Sequence, residues 1–217
     1  MENVENKAVV VENVSLKIKN ETILDNINLE LEKGKIHGLI GRNGSGKTML
    51  IKCICGFVKA SEGNIYVDGV LIGKQTDFPK KCGIIIETPG FVPYYSGYRN
   101  LKILAGLNNG TSKEAVKKAM DDTGISYAAG KLVKTYSLGM RQRLGIAQAI
   151  MDDPDILFLD EPMNGLDKEG VEDMRKLFLG LKKQGKTILL VSHNSEDIES
   201  LCDDIHEIEK GKIVGEH

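Results

Sequence analysis

Eight consecutive residues, Gly41-Arg42-Asn43-Gly44-Ser45-Gly46-Lys47-Thr48, constrain what this chain can fold into more than any other feature. They match the pattern G-x-x-x-x-G-K-[ST], which has meaning only between a buried strand and a helix. Both flanks are present. Ile36-His37-Gly38-Leu39-Ile40 is a short apolar run suited to a buried strand, and a helix begins near Lys47 and runs through Met49, Leu50, Ile51, Cys53 and Ile54 towards Gly56. Glycines let successive backbone N–H groups curl around phosphate oxygens, and the helix start adds the positive end of its dipole. Gly41, Asn43, Gly44, Ser45, Gly46, Lys47 and Thr48 are therefore candidate nucleotide-binding residues. In such loops the lysine reaches the β- and γ-phosphates and the following hydroxyl ligates Mg²⁺. A nucleoside triphosphate with Mg²⁺ is the expected ligand, although many folds with different outputs share this loop.

The rest of the composition narrows the class. With 217 residues, 41% hydrophobic and 28% charged, the chain reads as a globular protein with a sizeable core. A net charge of -2 argues against gripping nucleic acid by bulk positive charge, so no nucleic-acid partner is expected. No apolar run approaches the ~18 residues of a membrane span, and the acidic start Met1-Glu2-Asn3-Val4-Glu5-Asn6 lacks the apolar stretch of a secretory signal. Cys53, Cys55, Cys82 and Cys202 form no Cys-x-x-Cys pair, which fits reduced cytosolic thiols rather than a zinc site.

Along the chain, Ala8 to Val14 and Ile23 to Leu31 alternate partially, as half-buried antiparallel strands do. A hairpin is expected where Asp68-Gly69 separates Asn64-Ile65-Tyr66-Val67 from Val70-Leu71-Ile72. Residues 88–150 are aromatic at first and then helical, and Thr111-Ser112-Lys113-Glu114 has capping-box spacing for a helix reaching Gly124. After Pro154 the pattern alternates. Ile156-Leu157-Phe158-Leu159 and Thr187 to Val191 read as buried strands. Between them Val171, Met174, Leu177, Phe178 and Leu181 share one helical face, and Lys210-Gly211 turns a closing hairpin. No internal repeat or low-complexity segment is present.

A buried strand delivering Asp160 to its carboxyl end suits a carboxylate that holds Mg²⁺ through water. The next residue, Glu161, points elsewhere and can accept a proton from an attacking water. Upstream, Tyr136-Ser137-Leu138-Gly139-Met140-Arg141-Gln142-Arg143 opens a helix through Ile150. This segment resembles the signature motif of ATP-binding-cassette ATPases, usually Leu-Ser-Gly-Gly-Gln followed by Arg-Gln-Arg. Ser137 and Gly139 keep the hydroxyl and the uncovered backbone at a helix start, whereas Leu138 and Met140 depart from the common residues. Pro162-Met163-Asn164-Gly165-Leu166-Asp167 is similar to the family's D-loop, and Ser192-His193 to its switch histidine. The motifs follow the family's order and the resemblance covers essentially the whole chain.

The resemblance implies a composite site. Two cassettes pair head to tail, so that ATP on the loop of one is closed over by the Ser137 and Gly139 helix of the other. It makes Glu161 the general base, His193 the group orienting γ-phosphate and water, and Asp167 a residue crossing the interface. Two positions depart from the pattern. Ile18 stands where the family carries an aromatic for adenine, and no Phe, Tyr or Trp precedes Phe57. Glu87 follows Cys82-Gly83-Ile84-Ile85-Ile86 where the family offers glutamine to Mg²⁺, and a carboxylate is the stronger hard-cation ligand. Both the glutamate and the Tyr-Ser-Leu-Gly-Met signature resemble the bacitracin- and lantibiotic-export or immunity branch. The segment from Pro89 to Tyr98 holds four of the chain's eleven Phe and Tyr residues, a composition suited to docking a partner.

The expectation is a single α/β domain over residues 1–217, with a P-loop core, an antiparallel β subdomain and an inserted helical subdomain at about 88–150. It would hydrolyse ATP with Mg²⁺ as the nucleotide-binding subunit of a transporter exporting a peptide antibiotic or similar compound. The expected partners are a separate membrane permease and a second cassette, identical or related, at the inner face of the cell membrane. A soluble cassette acting on nucleic acid or ribosomes is the alternative, weakened by the absence of a second cassette, of a coiled-coil insertion and of a basic surplus. A kinase or GTPase leaves the Ser137 motif unexplained. The Ile18→Tyr variant should favour ATP over GTP by about 1 kcal/mol more than the parent, ~five-fold in relative kcat/KM. Identical ratios in the two proteins would refute the adenine-platform assignment.

Overall fold

The computed structural model describes residues 6–87, 90–107 and 110–216. Two sheets and a set of helices account for them. The first sheet is antiparallel, in the order β2-β1-β4-β5, from β1 (Lys7–Ile18), β2 (Glu21–Glu32), β4 (Glu62–Val67) and β5 (Val70–Leu71). The alternation in β1 and β2 is only partial because the register between them shifts four times, twice in the middle of the pair. The register slips between Val11↔Leu29 and Val14↔Ile27, and slips back between Val14↔Ile27 and Leu16↔Leu24. Asn13 and Asn26 sit in these slips at φ 50° and 53°, the left-handed region that asparagine tolerates better than most residues. The paired bulges keep Val9, Val11, Val14 and Leu16 facing the core together with Leu24, Ile27, Leu29 and Leu31.

The second sheet runs β10-β9-β3-β8-β7-β6. Its parallel part comprises β3 (Ile36–Ile40), β6 (Cys82–Ile85), β7 (Ile156–Asp160), β8 (Thr187–Val191) and β9 (Asp204–Glu209), and β10 (Lys212–Glu216) closes an antiparallel hairpin at one edge. All five residues of β7 and of β8 are buried, as strands covered on both faces must be. Their side chains alternate between two cores. Ile156, Phe158, Leu189 and Val191 pack with the first sheet and with α1 (Lys47–Ile54). Leu157, Leu159, Ile188 and Leu190 pack with Met174 and Phe178 of α5 (Lys168–Lys183) and with the helices between β6 and β7.

Those helices are α2 (Gly97–Leu107), α3 (Lys113–Asp122) and α4 (Leu138–Ile150), and α6 (Ser195–Leu201) follows β8. The chain is thus an α/β core with an antiparallel β subdomain and inserted helices. At α3 the cap lies one residue later than the spacing suggested. Ser112 accepts from Ala115 N at 3.0 Å, while the Thr111 hydroxyl donates to Asp152. All four cysteines are free, and burial pushes the Cys53 thiol up to about 11 and the Cys82 and Cys202 thiols up to about 12. Thiols so protonated are poor nucleophiles.

His37 of β3 is buried where the two sheets meet. Its Nε2 donates to Glu32 O at 2.9 Å, its Nδ1 lies 3.4 Å from Asp204 Oδ2, and its ring stacks on His206 at 5.9 Å. Burial holds its basicity below the ordinary imidazole value, against the Glu32 carbonyl and Asp204, which favour the cation, and with Lys35, which opposes it. The unfolded chain therefore binds this proton more readily. The stability linked to neutral His37 is complete above about pH 6.5 and is lost as pH falls below it. The thermal midpoint should drop from about pH 7 to about pH 5. His37→Gln should flatten that slope, and an unchanged slope would refute the assignment.

Candidate nucleotide site

The loop after β3 is the first element of the site. Gly41 takes φ 148°, and a Cβ there would stand 2.2 Å from Ile208 O of β9, so only glycine allows the loop to lie against the sheet. Gly211 N donates to Ser45 O at 2.8 Å and anchors the loop from the β9–β10 turn. The loop then feeds α1, whose first position is Gly46, which has no side chain to cap the helix.

The other helices are capped differently. Ser96 accepts from Arg99 N in the first turn of α2, and Ser112, Ser137, Asp167 and Asn194 each accept a backbone N–H at the start of α3, α4, α5 and α6. Of the α-helices among the described residues, α1 alone has no side-chain cap, which leaves its amino-terminal N–H groups to an external acceptor. The Ser45 hydroxyl in the same loop is buried with no hydrogen-bond partner among the described residues. Lys47, also buried, donates to Gly41 O at 2.6 Å and to Arg42 O at 3.0 Å, folding its ammonium back over the loop. Uncapped amides, an unpaired hydroxyl and a curled lysine are what a phosphate chain satisfies, so these residues fit the group that the motif implies.

β7 brings the carboxylates. Asp160 is buried and its Oδ2 accepts from Thr48 Oγ1 at 2.7 Å, tying the sheet to the first turn of α1. Glu161, with φ 51°, turns away to the other side and its backbone N donates to Val191 O at 3.0 Å. Its Oε2 lies 2.9 Å from His193 Nδ1, so the glutamate and the histidine that follows β8 face each other across adjacent strand ends. Gln142 Nε2 of α4 donates to Glu161 O at 3.3 Å, a contact that the sequence reading did not foresee.

The remaining candidates are placed elsewhere. Ser137 and Gly139 line a separate cleft of about 430 Å³ with Arg143, Gly165 and Asp167, and no residue of the loop 41–48 lines it. There a Cβ on Gly139 would stand 2.9 Å from Gly165 O, so the start of α4 packs directly on the segment leading into α5. Asp167 Oδ1 caps α5 by accepting from Gly170 N at 3.0 Å. Ile18 ends β1 and is 44% exposed, leaving an aliphatic surface rather than a ring. Glu87 is exposed, and its Oε1 accepts from Lys52 Nζ of α1 at 2.6 Å rather than approaching Thr48 or Asp160. Of the aromatic segment, Pro89 lies outside the described residues. Tyr94 is 72% exposed, and Tyr95 lies under the Arg99 guanidinium at 3.8 Å.

Strand, glycine loop and uncapped helix beside two strand-end carboxylates define a P-loop nucleotide-binding ATPase. The comparisons with known proteins make the class specific. The family described as ABC transporter matches residues 24–164. An uncharacterized ABC transporter ATP-binding protein of Bacillus subtilis (strain 168), YybJ, is 43% identical over 205 residues, 94% of each chain. The bacitracin transport ATP-binding protein BcrA of Enterococcus faecalis is 41% identical over 210 residues, 96% of this chain and 68% of that one. The lantibiotic transport ATP-binding protein SrtF of Streptococcus pyogenes is 36% identical over 204 residues, 94% of this chain and 88% of that one. The fold is shared with the dimeric, ADP- and Pi-bound structure of the ATP-binding cassette MJ0796, at TM-score 0.88 and 22% identity over 96% of this chain and 97% of that one. The chain belongs to the ABC transporter ATP-binding family, and it is an ATPase.

Because Thr48 and Asp160 satisfy each other across the core, Thr48→Val should lower the stability of the nucleotide-free protein by about 1 kcal/mol, roughly 2–4 °C in thermal midpoint. Thr48→Ser should restore it. A Thr48→Val melt that matches the parent would show the bond to be dispensable.

Proposed function

We propose that this chain is the energising subunit of an exporter that removes a bacitracin- or lantibiotic-like peptide antibiotic, working at the inner face of the membrane beside a separate permease. One observation carries the ATP-dependent part. The loop 41–48 with Asp160, Glu161 and His193 forms one half-site, and Ser137, Gly139 and Asp167 form another in a cleft that the loop does not reach. Each half is complete only against a second copy or a related cassette.

The roles follow from the chemistry. The amides of 41–48 and Lys47 bind the phosphates, and Ile18 contacts the base. Thr48 and Asp160 would hold Mg²⁺, which would neutralise charge on the β- and γ-phosphates. Glu161 accepts the proton of the attacking water and His193 orients that water and the γ-phosphate. Ser137 caps α4 through its oxygen, a bond that does not use its hydroxyl proton, which would donate to a phosphate across the interface. Asp167 crosses the same interface. Glu87 would serve the metal only if it gave up Lys52, with which it pairs in this structure.

The permease reading is supported by surface chemistry. A groove of about 490 Å³ runs along the edge strand β6, lined by Phe57, Ile84, Gly90, Leu104, Leu107 and Gln148 among others. Exposed Phe57, Val92, Tyr94 and Leu107 lie on it or in the flanking segments. Its occupant is a short amphipathic segment of the permease. None of the described helices is long and apolar enough to cross a membrane, so such a partner would supply the spans. Peptide-antibiotic export is supported by the names of the relatives from Enterococcus and Streptococcus and by Glu87 in the metal-side loop. These favour transport over the nucleic-acid alternative.

In a bacitracin-sensitive host, co-expression with its permease partner should raise survival. Glu161→Gln should abolish that protection while accumulating an ATP-bound dimer in gel filtration. Protection by the variant equal to that of the parent, or a monomeric variant where the parent dimerises with ATP, would overturn the reading.

A further inference from the structure

The loop that carries His193 is held by a buried polar relay that the ATPase chemistry above does not use. Arg175, on α5, is 8% exposed, and it donates from Nε and Nη2 to Asp197 Oδ1 at 3.0 and 2.6 Å. Its Nη1 donates to Glu172 Oε1 at 2.9 Å and to Glu196 Oε1 at 3.1 Å. Asp197, on α6, is buried, and its second oxygen, Oδ2, accepts from Ser192 Oγ at 3.4 Å. Ser192 Oγ in turn accepts from Asn194 N at 3.1 Å. The residues on either side of His193 are thereby fastened to one hydroxyl, and that hydroxyl to the arginine.

His193 itself is exposed, with its side chain 66% accessible, and no core packing fixes it opposite Glu161. Its orientation depends on the backbone that carries it, and that backbone depends on the relay. A buried ion pair is a costly way to gain stability alone, since apolar residues of similar volume often do as well. A fixed direction is what such a pair supplies here.

We propose that Arg175, acting through Asp197 and Ser192, is the positioning residue that holds His193 against Glu161 for hydrolysis. This rests on the roles given above to Glu161 and His193. Because Asp167, at the interface half-site, caps the same helix that carries Arg175, the relay also joins that half-site to the catalytic pair through one rigid element.

Steady-state ATP hydrolysis by the full chain tests the relay. Ser192→Ala and Arg175→Ala should each lower kcat roughly ten- to hundredfold, the scale set by small misplacements of catalytic groups, with KM for ATP within about two-fold of the parent. Arg175→Lys should recover part of the loss. In a His193→Ala background, Ser192→Ala should cost nothing further, a coupling that a merely structural role would not produce. Should Arg175→Ala fail to fold, Ser192→Ala still decides, because it removes one hydroxyl and leaves the arginine paired. Parent-like kcat in Ser192→Ala while His193→Ala is impaired would overturn the relay, as would an additive loss in the double variant. Parent-like kcat in His193→Ala would instead sink the catalytic pairing, and the relay with it.

Discussion

The amino-terminal turn of α1, left without a side-chain cap, is the constraint around which the rest of the molecule is arranged. Among the described residues, every other α-helix has a serine, an aspartate or an asparagine that accepts a backbone N–H at its start. Unsatisfied amides at a helix start are an anion site by default, provided that the loop before them cannot relax and close over them. Here it cannot. β9 presses on Gly41, the β9–β10 turn holds Ser45 O, and Asp160 grips Thr48 from the end of β7. The fully buried β7 and β8 supply the rigid floor, so the two sheets and their cores serve to keep one helix end open.

The same sheet sorts the chemistry by alternation. Adjacent residues at a strand end face opposite ways, so Asp160 reaches the helix that binds phosphate while Glu161 reaches His193. At the far corner the start of α4 and the segment before α5 touch so closely that glycine is required on both sides, with Leu138 lying over Gly165. Arg143 adds to that corner, donating to Thr123 O at 2.8 Å and pairing with Asp173 at 3.2 Å. This is a preassembled surface facing outward, and within one chain it has no phosphate to meet.

Much of this was legible in the order of residues, and the failures have physical causes. The glycine loop and the Asp160-Glu161 strand end were readable because local backbone demands select those residue types. The sheet of β1 and β2 was readable only in outline, since the bulges at Asn13 and Asn26 break the period that a strand reading depends on. The cap of α3 fell on Ser112 because Thr111, an equally capable hydroxyl, is drawn to Asp152, a partner 41 residues away. The partner that Glu87 has in this structure was not readable either: its carboxylate meets Lys52, which no local pattern would pair with it. The ties between Arg175, Asp197 and Ser192 were invisible for the same reason, being made between residues on separate elements.

The sequence by itself determined the local devices of this protein: a loop that curls, a helix that goes uncapped, and strands that are apolar throughout and end in acid. Short-range sterics and solvation decide these, and they act within a few residues. Only the tertiary structure decided which charged group answers which. It set Lys52 against Glu87, His193 against Glu161, and the signature and D-loop segments against each other rather than against the phosphate loop. Such pairings depend on how sheets stack and where helices dock, and that geometry is the sum of many long-range contacts, none of them written in a neighbouring residue.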